Sequence, residues 1–446
     1  MKKNEYGLFT AIGMIVGIVI GSGIFFKSDN ILIATNGSIS LGVIVFCIAA
    51  VGIIFGSLTI SELASRDCKA GGIITYAENS YNSSVACAFG WFHTFLYYPT
   101  LIAVVSWVSG IYICMLFGID GGLTLHTSIG FGAIIIFYIL NILSARLGGY
   151  FQNLSTVIKI IPLILIAIAG IFFGDPKSVS MNEIVHMKSA TWIAAIAPIA
   201  FSFDGWIIAT SIGHEIKDSK RNLPKALVVA PLFILAIYVL YFIGISVLIG
   251  PEKVMALGDA HVDLAANTLF GPWGAKMVLI FVVVSILGTV NGLVMGHIRL
   301  PYSLALRGMF PKSEKIKIID EKLGMPVNSA IVSFIISVVC LLIHFITQKY
   351  SLLPNSDISE ISITMNYVMY ILLYVKVFRM GMNNEVKGLW KGKINPILAT
   401  VGSLIILFGS ISNPLFMQYT FICGIVLVSA VLFWRNKEKS NIMVDL

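Results

Sequence analysis

Gly21-Ser22-Gly23-Ile24-Phe25 interrupts the first apolar segment of the chain, residues 6–26, with residues that weaken a helix. Glycine destabilises a helix interior by about 1 kcal/mol relative to alanine. Within lipid, a segment can give up its backbone hydrogen bonds only beside protein or a water-filled cavity. The stretch therefore predicts a break in a membrane-spanning helix, and the break predicts a cavity that binds a ligand.

The composition is that of a protein embedded in a membrane. Hydrophobic residues make up 57% of the 446 residues and charged residues 12%, with a mean hydropathy of +0.92, far from the mixture of a soluble domain. A spanning helix needs about 20 mainly apolar residues. The fold class predicted is an all-α polytopic membrane protein with twelve transmembrane helices, at residues 6–26, 40–62, 86–116, 127–145, 151–173, 191–213, 226–249, 274–304, 327–347, 358–379, 395–411 and 415–434.

The basic residues predict the orientation of these spans. Most of the 30 Lys and Arg residues fall in the tails and loops on the side that holds both termini. The positive-inside rule then places the N- and C-termini in the cytoplasm of a multi-pass protein of the cell membrane. The net charge of +8 reflects this topology, because no soluble segment is large enough to form a basic domain that binds nucleic acid.

Several classes of function are disfavoured by what the spans carry. The six cysteines have no paired spacing, so neither a disulfide framework nor a zinc site is expected, and no metal or cofactor is predicted. No Ser-His, Cys-His or paired-carboxylate arrangement lies on compatible spans, which argues against an enzyme. A channel would need a continuous polar pore, which the predicted helices do not supply.

The sixth span repeats the interruption of the first, at Phe201-Ser202-Phe203-Asp204-Gly205-Trp206. The first and sixth spans lie five apart, so they run in opposite directions. This pattern is typical of an inverted repeat of five plus five helices with its binding site near the bilayer midplane. A single transport domain, residues 1–446, would then hold helices 1–5 in residues 1–173 and helices 6–10 in residues 191–379, while helices 11 and 12, residues 395–434, lie outside the repeat.

The first break predicts a site for a zwitterion. If the chain unwinds there, the N–H groups of Ser22, Gly23 and Ile24 are free at the start of a half-helix, where a carboxylate is favoured. The carbonyls of Val19 and Ile20 end the preceding half-helix and suit a cation. An α-amino acid carries both groups on one carbon, so we expect an amino acid substrate.

The sixth span would contribute to the same site. Phe201 and Ser202 offer carbonyls, and the Asp204 side chain either caps the second half-helix or lies against the substrate ammonium. The rings of Phe203 and Trp206 serve either as packing or as a gate. The sequence leaves both pairs of alternatives open.

Lys159 lies about ten residues inside the fifth span, roughly 15 Å along the helix, too deep for its amine to reach the headgroups. An intramembrane charge is a functional residue by default. It could be a fixed charge that supports the unwound first helix, or an amine that takes up and releases a proton. A lysine satisfied by nearby carbonyls with a purely structural role is the third possibility.

The chain resembles the amino acid-polyamine-organocation superfamily, and within it the prokaryotic L-type amino acid transporters. The resemblance covers nearly the whole chain and rests on five stretches: residues 13–25 (GMIVGIVIGSGIF), 61–76 (SELASRDCKAGGIITY), 152–159 (QNLSTVIK), 201–226 (FSFDGWIIATSIGHEIKDSKRNLPKA) and 291–311, ending in RGMFP. It implies a leucine-transporter-like fold, alternating access and sodium-independent exchange of amino acids.

The resemblance also implies roles for individual residues. Ser22 and Gly23 are similar to the family's carboxylate site. Val19, Phe201 and Asp204 correspond to its ammonium site through their backbone carbonyls. Lys159 matches the family's lysine in span five, and Tyr241 in span seven resembles a residue that lines the pocket.

The expected function is exchange of neutral, small L-amino acids. The alternatives are proton-coupled symport through Lys159 and, with less support, polyamine antiport or an amino acid-sensing receptor. Eukaryotic L-type members pair with a heavy chain through a cysteine in the loop after span three. The corresponding loop, residues 118–126, has none and Cys114 lies just inside the preceding helix, so no disulfide-linked partner is expected.

Overall fold

A computed structural model describes residues 6–21, 23–26, 28–67, 69, 71–175, 192, 196–353, 357–411 and 415–444. Within these ranges the chain is helical and has no β-strand; an isolated bridge joins Tyr6 to Ile216. The helices of the first half are α1 (Leu8–Val19), α2 (Gly23–Phe26), α3 (Ser28–Ala34), α4 (Ile39–Arg66), α5 (Ile73–Ser80), α6 (Ser83–Phe92), α7 (Tyr98–Phe117), α8 (Leu123–Leu143) and α9 (Ala145–Phe173). The second half contains α10 (Ile196–Phe203), α11 (Ser219–Ile249), α12 (Pro251–Leu257), α13 (His261–Leu306), α14 (Ser313–Ile316), α15 (Val327–Lys349), α16 (Ile358–Met382), α17 (Asn395–Ile411) and α18 (Phe416–Val444).

Ten helical segments of the described part are long and apolar enough to cross a membrane, which confirms the predicted class of all-α membrane protein. They are Ile39–Arg66, Ser83–Phe117, Leu123–Leu143, Ala145–Phe173, Ser219–Ile249, His261–Leu306, Val327–Lys349, Ile358–Met382, Trp390–Ile411 and Phe416–Lys439. The segment Ser83–Phe117 includes a π-turn, His93–Tyr97, between α6 and α7. The predicted first and sixth spans are divided into shorter pieces.

Side-chain caps explain where several of these helices begin. Ser38 Oγ accepts a hydrogen bond from the Leu41 N–H at the start of α4, and Asn82 Oδ1 accepts one from Val85 at the start of α6. Such caps satisfy backbone donors that have no partner within the helix. The boundaries therefore follow local chemistry as well as hydropathy.

Glycine contacts bring pairs of helices close together. At the crossing of α9 and α11, a Cβ added to Gly170 would come 2.3 Å from Gly244 Cα, and at the crossing of α4 and α17 one added to Gly52 would come 2.9 Å from the carbonyl carbon of Gly402. Small residues allow such close approach between membrane helices. Helix α1 itself packs against α9, α11 and α13, so three spans surround the first break.

Candidate functional site

The first break begins where α1 ends at Val19. The N–H of Ile20 still donates to the Val16 carbonyl, at 2.8 Å, but Ile20 has a ψ of 83° and leaves the helical conformation. The N–H of Gly21 then turns back onto the Val19 carbonyl, at 2.8 Å. The chain becomes helical again at Gly23, while Ser22 lies outside the described residues. The chain is therefore non-helical within the stretch that the glycines indicated.

The carbonyls that end α1 accept hydrogen bonds from three neighbouring spans. The Tyr238 hydroxyl of α11 lies 2.9 Å from the Val19 carbonyl oxygen, and Ser285 Oγ of α13 lies 3.3 Å from that of Ile20. Thr289 Oγ1 lies 3.4 Å from the carbonyl oxygens of Gly17 and Ile18, although its single proton can serve only one of them at a time. Side-chain donors thus replace the helical donors that the break removes.

Lys159 supplies the charged member of this set. Its side chain is fully buried, and Nζ donates to the Gly17 carbonyl at 2.5 Å and lies 3.5 Å from Thr289 Oγ1. In the described part of the chain Lys159 forms no ion pair with a carboxylate. A cation near the C-terminal end of a helix interacts favourably with the helix dipole, so the geometry fits a positive charge that supports the broken first span.

The second break lies between α10 and the 3₁₀ helix Trp206–Glu215. Gly205 has a φ of 99°, in the left-handed region that glycine enters most readily. A Cβ at this position would also come 2.6 Å from Ile18 Cγ2. Glycine is therefore needed both for the turn and for the close approach of the first span.

Asp204 forms its hydrogen bond with the third span. The Tyr97 hydroxyl donates to Asp204 Oδ2 at 2.6 Å, and no side-chain cap forms at the start of the 3₁₀ helix. Oδ1 of Asp204 is buried and has no hydrogen-bond partner within the described residues. The Gly205 N–H also interacts with this carboxylate, and Oδ1 keeps the capacity to accept a further hydrogen bond.

Tyr238 links the two breaks directly. Its hydroxyl lies 2.9 Å from the Val19 carbonyl oxygen and 2.8 Å from that of Ser202, one carbonyl from each broken span. Its ring packs against Phe203, with ring centroids 5.0 Å apart. A single side chain of α11 therefore contacts both halves of the candidate site.

A cavity of about 40 Å³ lies between the two breaks. This volume has room for only a few water molecules, less than an amino acid needs. The residues that line the cavity are Ile18, Val19, Gly21, Gly23, Leu101, Val105, Ser202, Asp204, Gly205, Thr289 and Leu293.

Of the residues singled out from sequence, Val19, Gly21, Gly23, Ser202 and Asp204 meet at this cavity. The others lie around it or outside the described part. Ile20, Ile24, Phe203, Lys159 and Tyr241 are buried without being part of its wall, and the side chain of Phe201, like the whole of Ser22, is not described.

Sequence reasoning missed several residues that the site contains. Tyr238 lies one helical turn from Tyr241, and only the packing of α11 shows which of the two lies at the breaks. Thr289 and Tyr97 had no distinguishing pattern. Leu101, Val105 and Leu293 were indistinguishable from ordinary apolar residues of a span.

The cytoplasmic end predicted for these spans carries a buried ion pair. Nε and Nη2 of Arg299 donate to the two carboxylate oxygens of Glu215, at 2.5 and 2.9 Å, and both side chains are almost fully buried. Next to this pair, the Tyr6 N–H donates to the Glu215 carbonyl at 3.1 Å and the Lys217 N–H donates to the Tyr6 carbonyl at 2.8 Å. The chain before α1 is thereby joined to the end of the broken sixth span.

Two discontinuous helices that border one cavity inside a bundle of spanning helices define a class of protein, the secondary transporters. The amino acid permease family model matches residues 6–442, and the chain belongs to this family. It is therefore a multi-pass membrane protein and an amino acid transporter rather than an enzyme, and the resemblance noted in its sequence is confirmed.

Curated relatives agree with this assignment. The chain is 29% identical over 452 residues to the serine/threonine exchanger SteT of Bacillus subtilis, and the alignment covers 98% of each chain. It is 29% identical over 300 residues to the b(0,+)-type amino acid transporter 1 of Mus musculus, covering 65% of this chain and 60% of the mouse protein. It is 28% identical over 324 residues to the large neutral amino acids transporter small subunit 2 of Oryctolagus cuniculus, covering 69% and 59%. The two mammalian proteins are thus matched over less than two thirds of their length.

Proposed function

We propose that this protein exchanges neutral, small L-amino acids across the cell membrane by sodium-independent antiport with alternating access. The observation that carries the proposal is the meeting of two helix breaks at one buried cavity. Main-chain groups at such breaks bind the charged ends of a zwitterion without a dedicated ionic side chain. The name of the serine/threonine exchanger, which matches 98% of this chain, favours small neutral substrates.

The substrate would bind across the two breaks. Its carboxylate binds the N–H groups of Ser22, Gly23 and Ile24, and its ammonium binds carbonyls of Val19 and the sixth span. The Val19 carbonyl already accepts from Gly21 and from Tyr238. Since a carbonyl oxygen has two lone pairs, an arriving ammonium displaces the Tyr238 hydroxyl or the turn at Gly21.

A twelve-span, leucine-transporter-like architecture is part of the proposal. The ten long spans together with the broken first and sixth spans add up to twelve. In this arrangement the inverted repeats are residues 1–173 and 191–379, and the last two spans, within residues 395–434, lie outside them. Residues 176–191, where the two repeats join, lie outside the described part.

The charges and the cysteines support the proposed orientation and the expected absence of a disulfide-linked partner. Basic residues concentrate on the side of both termini, which supports a cytoplasmic location for them. Cys114, the cysteine nearest to the loop after the third span, is buried, with 2% of its surface exposed. This burial supports the expectation that no heavy chain is attached through a disulfide.

Sodium independence is supported by the contacts of Lys159. Its ammonium already provides a positive charge at the carbonyls that end α1, so a bound sodium ion is not required to balance the helix dipole there. Transport would then respond little to replacement of sodium by a larger cation.

Reconstitution into liposomes tests the proposed exchange. Vesicles preloaded with unlabelled alanine should take up labelled alanine, whereas empty vesicles should not, with choline replacing sodium at no loss of rate. Protein-free vesicles and the Lys159→Met variant are the controls. Equal uptake by empty and preloaded vesicles would exclude obligatory exchange.

Proton-coupled symport through Lys159 is the second candidate. The burial of this amine without a carboxylate partner in the described part of the chain favours it, because ionisable side chains within the membrane often carry protons in transporters. An inwardly directed pH gradient that drives accumulation of alanine into empty vesicles would select symport over exchange.

A further inference from the structure

Tyr97 occupies a position that only the π-turn of the third span provides. The turn His93–Tyr97 lies between α6 and α7, and π-turns place one additional residue in a helical turn and occur frequently at functional sites. One extra residue rotates the following side chains by about 100° relative to a regular helix. The turn thereby decides which residue of this span is directed toward the sixth.

The π-turn is held by a hydrogen bond from α13, and a residue of α8 in turn holds the donor in place. His297 Nε2 of α13 lies 2.9 Å from the Thr94 carbonyl oxygen, and because a carbonyl can only accept, Nε2 carries the proton. His297 Nδ1 then accepts from the Tyr138 hydroxyl of α8, at 2.9 Å. All three partners are buried, so the position of Tyr97 is fixed by the surrounding helices.

The hydroxyl of Tyr97 occupies one of the two oxygens of Asp204. It donates to Oδ2 at 2.6 Å, while Oδ1 has no partner in the described part of the protein and Asp204 contributes to the wall of the cavity. Leaving a buried acceptor without a donor is costly. An unused oxygen beside a cavity therefore indicates a donor that arrives with the ligand.

We propose that Tyr97 is a specificity-determining residue that leaves Asp204 a single oxygen without a hydrogen bond and so selects substrates whose side chain carries one hydrogen-bond donor, such as a hydroxyl. The inference rests on the proposed function, since it concerns the side chain of an amino acid held at the two breaks. With Oδ2 occupied, Oδ1 is matched by one O–H group.

A cationic side chain fits these surroundings poorly. An ammonium brings three N–H donors, but the cavity wall otherwise consists mainly of apolar side chains such as Leu101, Val105 and Leu293. The acceptor Thr289 Oγ1 is also within 3.5 Å of the Lys159 ammonium, which repels a second positive charge. Tyr97 therefore acts together with the apolar wall and Lys159 to disfavour cationic side chains, because it occupies an acceptor site on the second oxygen of Asp204.

Competition measurements on reconstituted protein test this role. Exchange of labelled alanine, whose side chain has no donor, is the common readout. Unlabelled serine is compared with unlabelled alanine as a competitor. Homoserine is compared with 2,4-diaminobutyrate, which carries a terminal ammonium in place of the terminal hydroxyl. In the wild type we expect serine to compete better than alanine and homoserine to compete better than 2,4-diaminobutyrate.

The variants separate the role of Tyr97 from that of its neighbours. Tyr97→Phe frees Oδ2 and should improve competition by 2,4-diaminobutyrate relative to homoserine by about tenfold, the value of one hydrogen bond to a charged group. Tyr98→Phe removes an adjacent buried hydroxyl and should leave the ranking unchanged. In an Asp204→Asn background, where no carboxylate remains, the effect of Tyr97→Phe should disappear.

Three results would overturn the proposal. The first is an unchanged ranking in Tyr97→Phe, and the second is an equal change in Tyr98→Phe. The third, which needs no variant and holds even if Tyr97→Phe fails to fold, is a wild type in which serine competes no better than alanine. If wild-type protein does not exchange alanine at all, the proposed function itself fails, so the two failures are distinguishable.

Discussion

Gly205 illustrates how one residue fixes the position of a helix break. Its φ of 99° is open to glycine and strained for other residues. Its missing Cβ also leaves space for Ile18 of the first span. The same residue therefore ends α10 and lets the two broken spans approach each other.

Replacing Gly205 with alanine should lower stability. We expect Gly205→Ala to cost about 1–3 kcal/mol through backbone strain and the contact with Ile18. The thermal midpoint of purified protein in detergent measures this loss. Gly132 of α8 is the matched control, since a Cβ added there meets no atom within 4 Å, and Gly132→Ala should be neutral or stabilising by up to about 1 kcal/mol. Equal midpoints for the two variants would contradict the assignment.

Lys159 should matter more for transport than for stability. Methionine has a similar length and no charge, and replacing a buried charge by an apolar residue is often neutral or stabilising. We expect Lys159→Met to retain or raise the thermal midpoint while alanine exchange falls at least tenfold, because the Gly17 carbonyl loses its charged donor. Lys276→Met, at an exposed position, should change neither quantity. A large loss of stability with unchanged exchange per folded molecule would assign Lys159 a structural role.

At the residue scale, the sequence predicted which residues belong to the site better than it predicted which atoms they contact. The glycines of residues 21–23 and Gly205 are visible because they contradict the helical pattern around them, and Lys159 because a charge is rare within a span. Which carbonyl accepts from Lys159 depends on the packing of α9 against α1, and hydropathy carries no information on that. The pairing of Tyr97 with Asp204 was unpredictable for the same reason.

At the scale of helices, Tyr238 couples the two broken spans. Its hydroxyl lies within hydrogen-bond distance of one carbonyl from each, and its single proton alternates between them. Substrate binding or helix movement that removes one of the two contacts leaves the other available. The two hydrogen bonds of Tyr238 therefore depend on the relative position of α1 and α10.

Tyr238→Phe tests this coupling. Loss of the hydroxyl removes one hydrogen bond from the Val19 and Ser202 carbonyls, at a cost of about 1 kcal/mol, and we expect slower exchange and weaker competition by alanine in liposomes. Tyr241→Phe, one turn along the same helix, is the matched control and also tests the residue that the family resemblance indicated. If Tyr241→Phe has the larger effect on competition, the pocket involves Tyr241 rather than Tyr238.

The helix breaks were predictable as elements, whereas the form of the helices beside them was not. Glycine and polar residues within apolar segments placed the first break near Gly21, and the structure ends α1 two residues earlier at Val19. The π-turn His93–Tyr97 has the sequence HTFLY, which differs little in composition from the rest of its span. A π-turn depends on partners for its displaced carbonyls, and those partners, such as His297, come from distant parts of the chain.

On the scale of the whole molecule, the buried pair Arg299 and Glu215 joins α13 to the end of the broken sixth span. Removing one member of a buried pair leaves the other charge uncompensated and costs about 3–5 kcal/mol. We therefore expect Glu215→Gln to lower the thermal midpoint clearly. The double variant Arg299→Met/Glu215→Leu removes both charges and should recover most of the loss. A double variant less stable than Glu215→Gln would show that the pair contributes more than mutual compensation of charge.

The number of apolar segments was predictable from the sequence, whereas the packing of the helices was not. Hydropathy located apolar segments that correspond to the ten long helices and to the two broken ones. The contacts between α9 and α11 at Gly170 and Gly244, or between α4 and α17 at Gly52 and Gly402, join residues far apart in the sequence. A single sequence does not reveal such pairs, because many other glycines lie on the faces of the same helices.

The bridge between Tyr6 and Ile216 is made by main-chain atoms alone. Whereas the buried Tyr6 also donates its hydroxyl to the Ala145 carbonyl, at 2.8 Å, substitutions at the exposed Lys217 should therefore be tolerated as long as an amide proton remains. Proline is the exception, because it has no such proton. Random mutagenesis at codon 217 should accordingly recover most amino acids in functional clones but never proline.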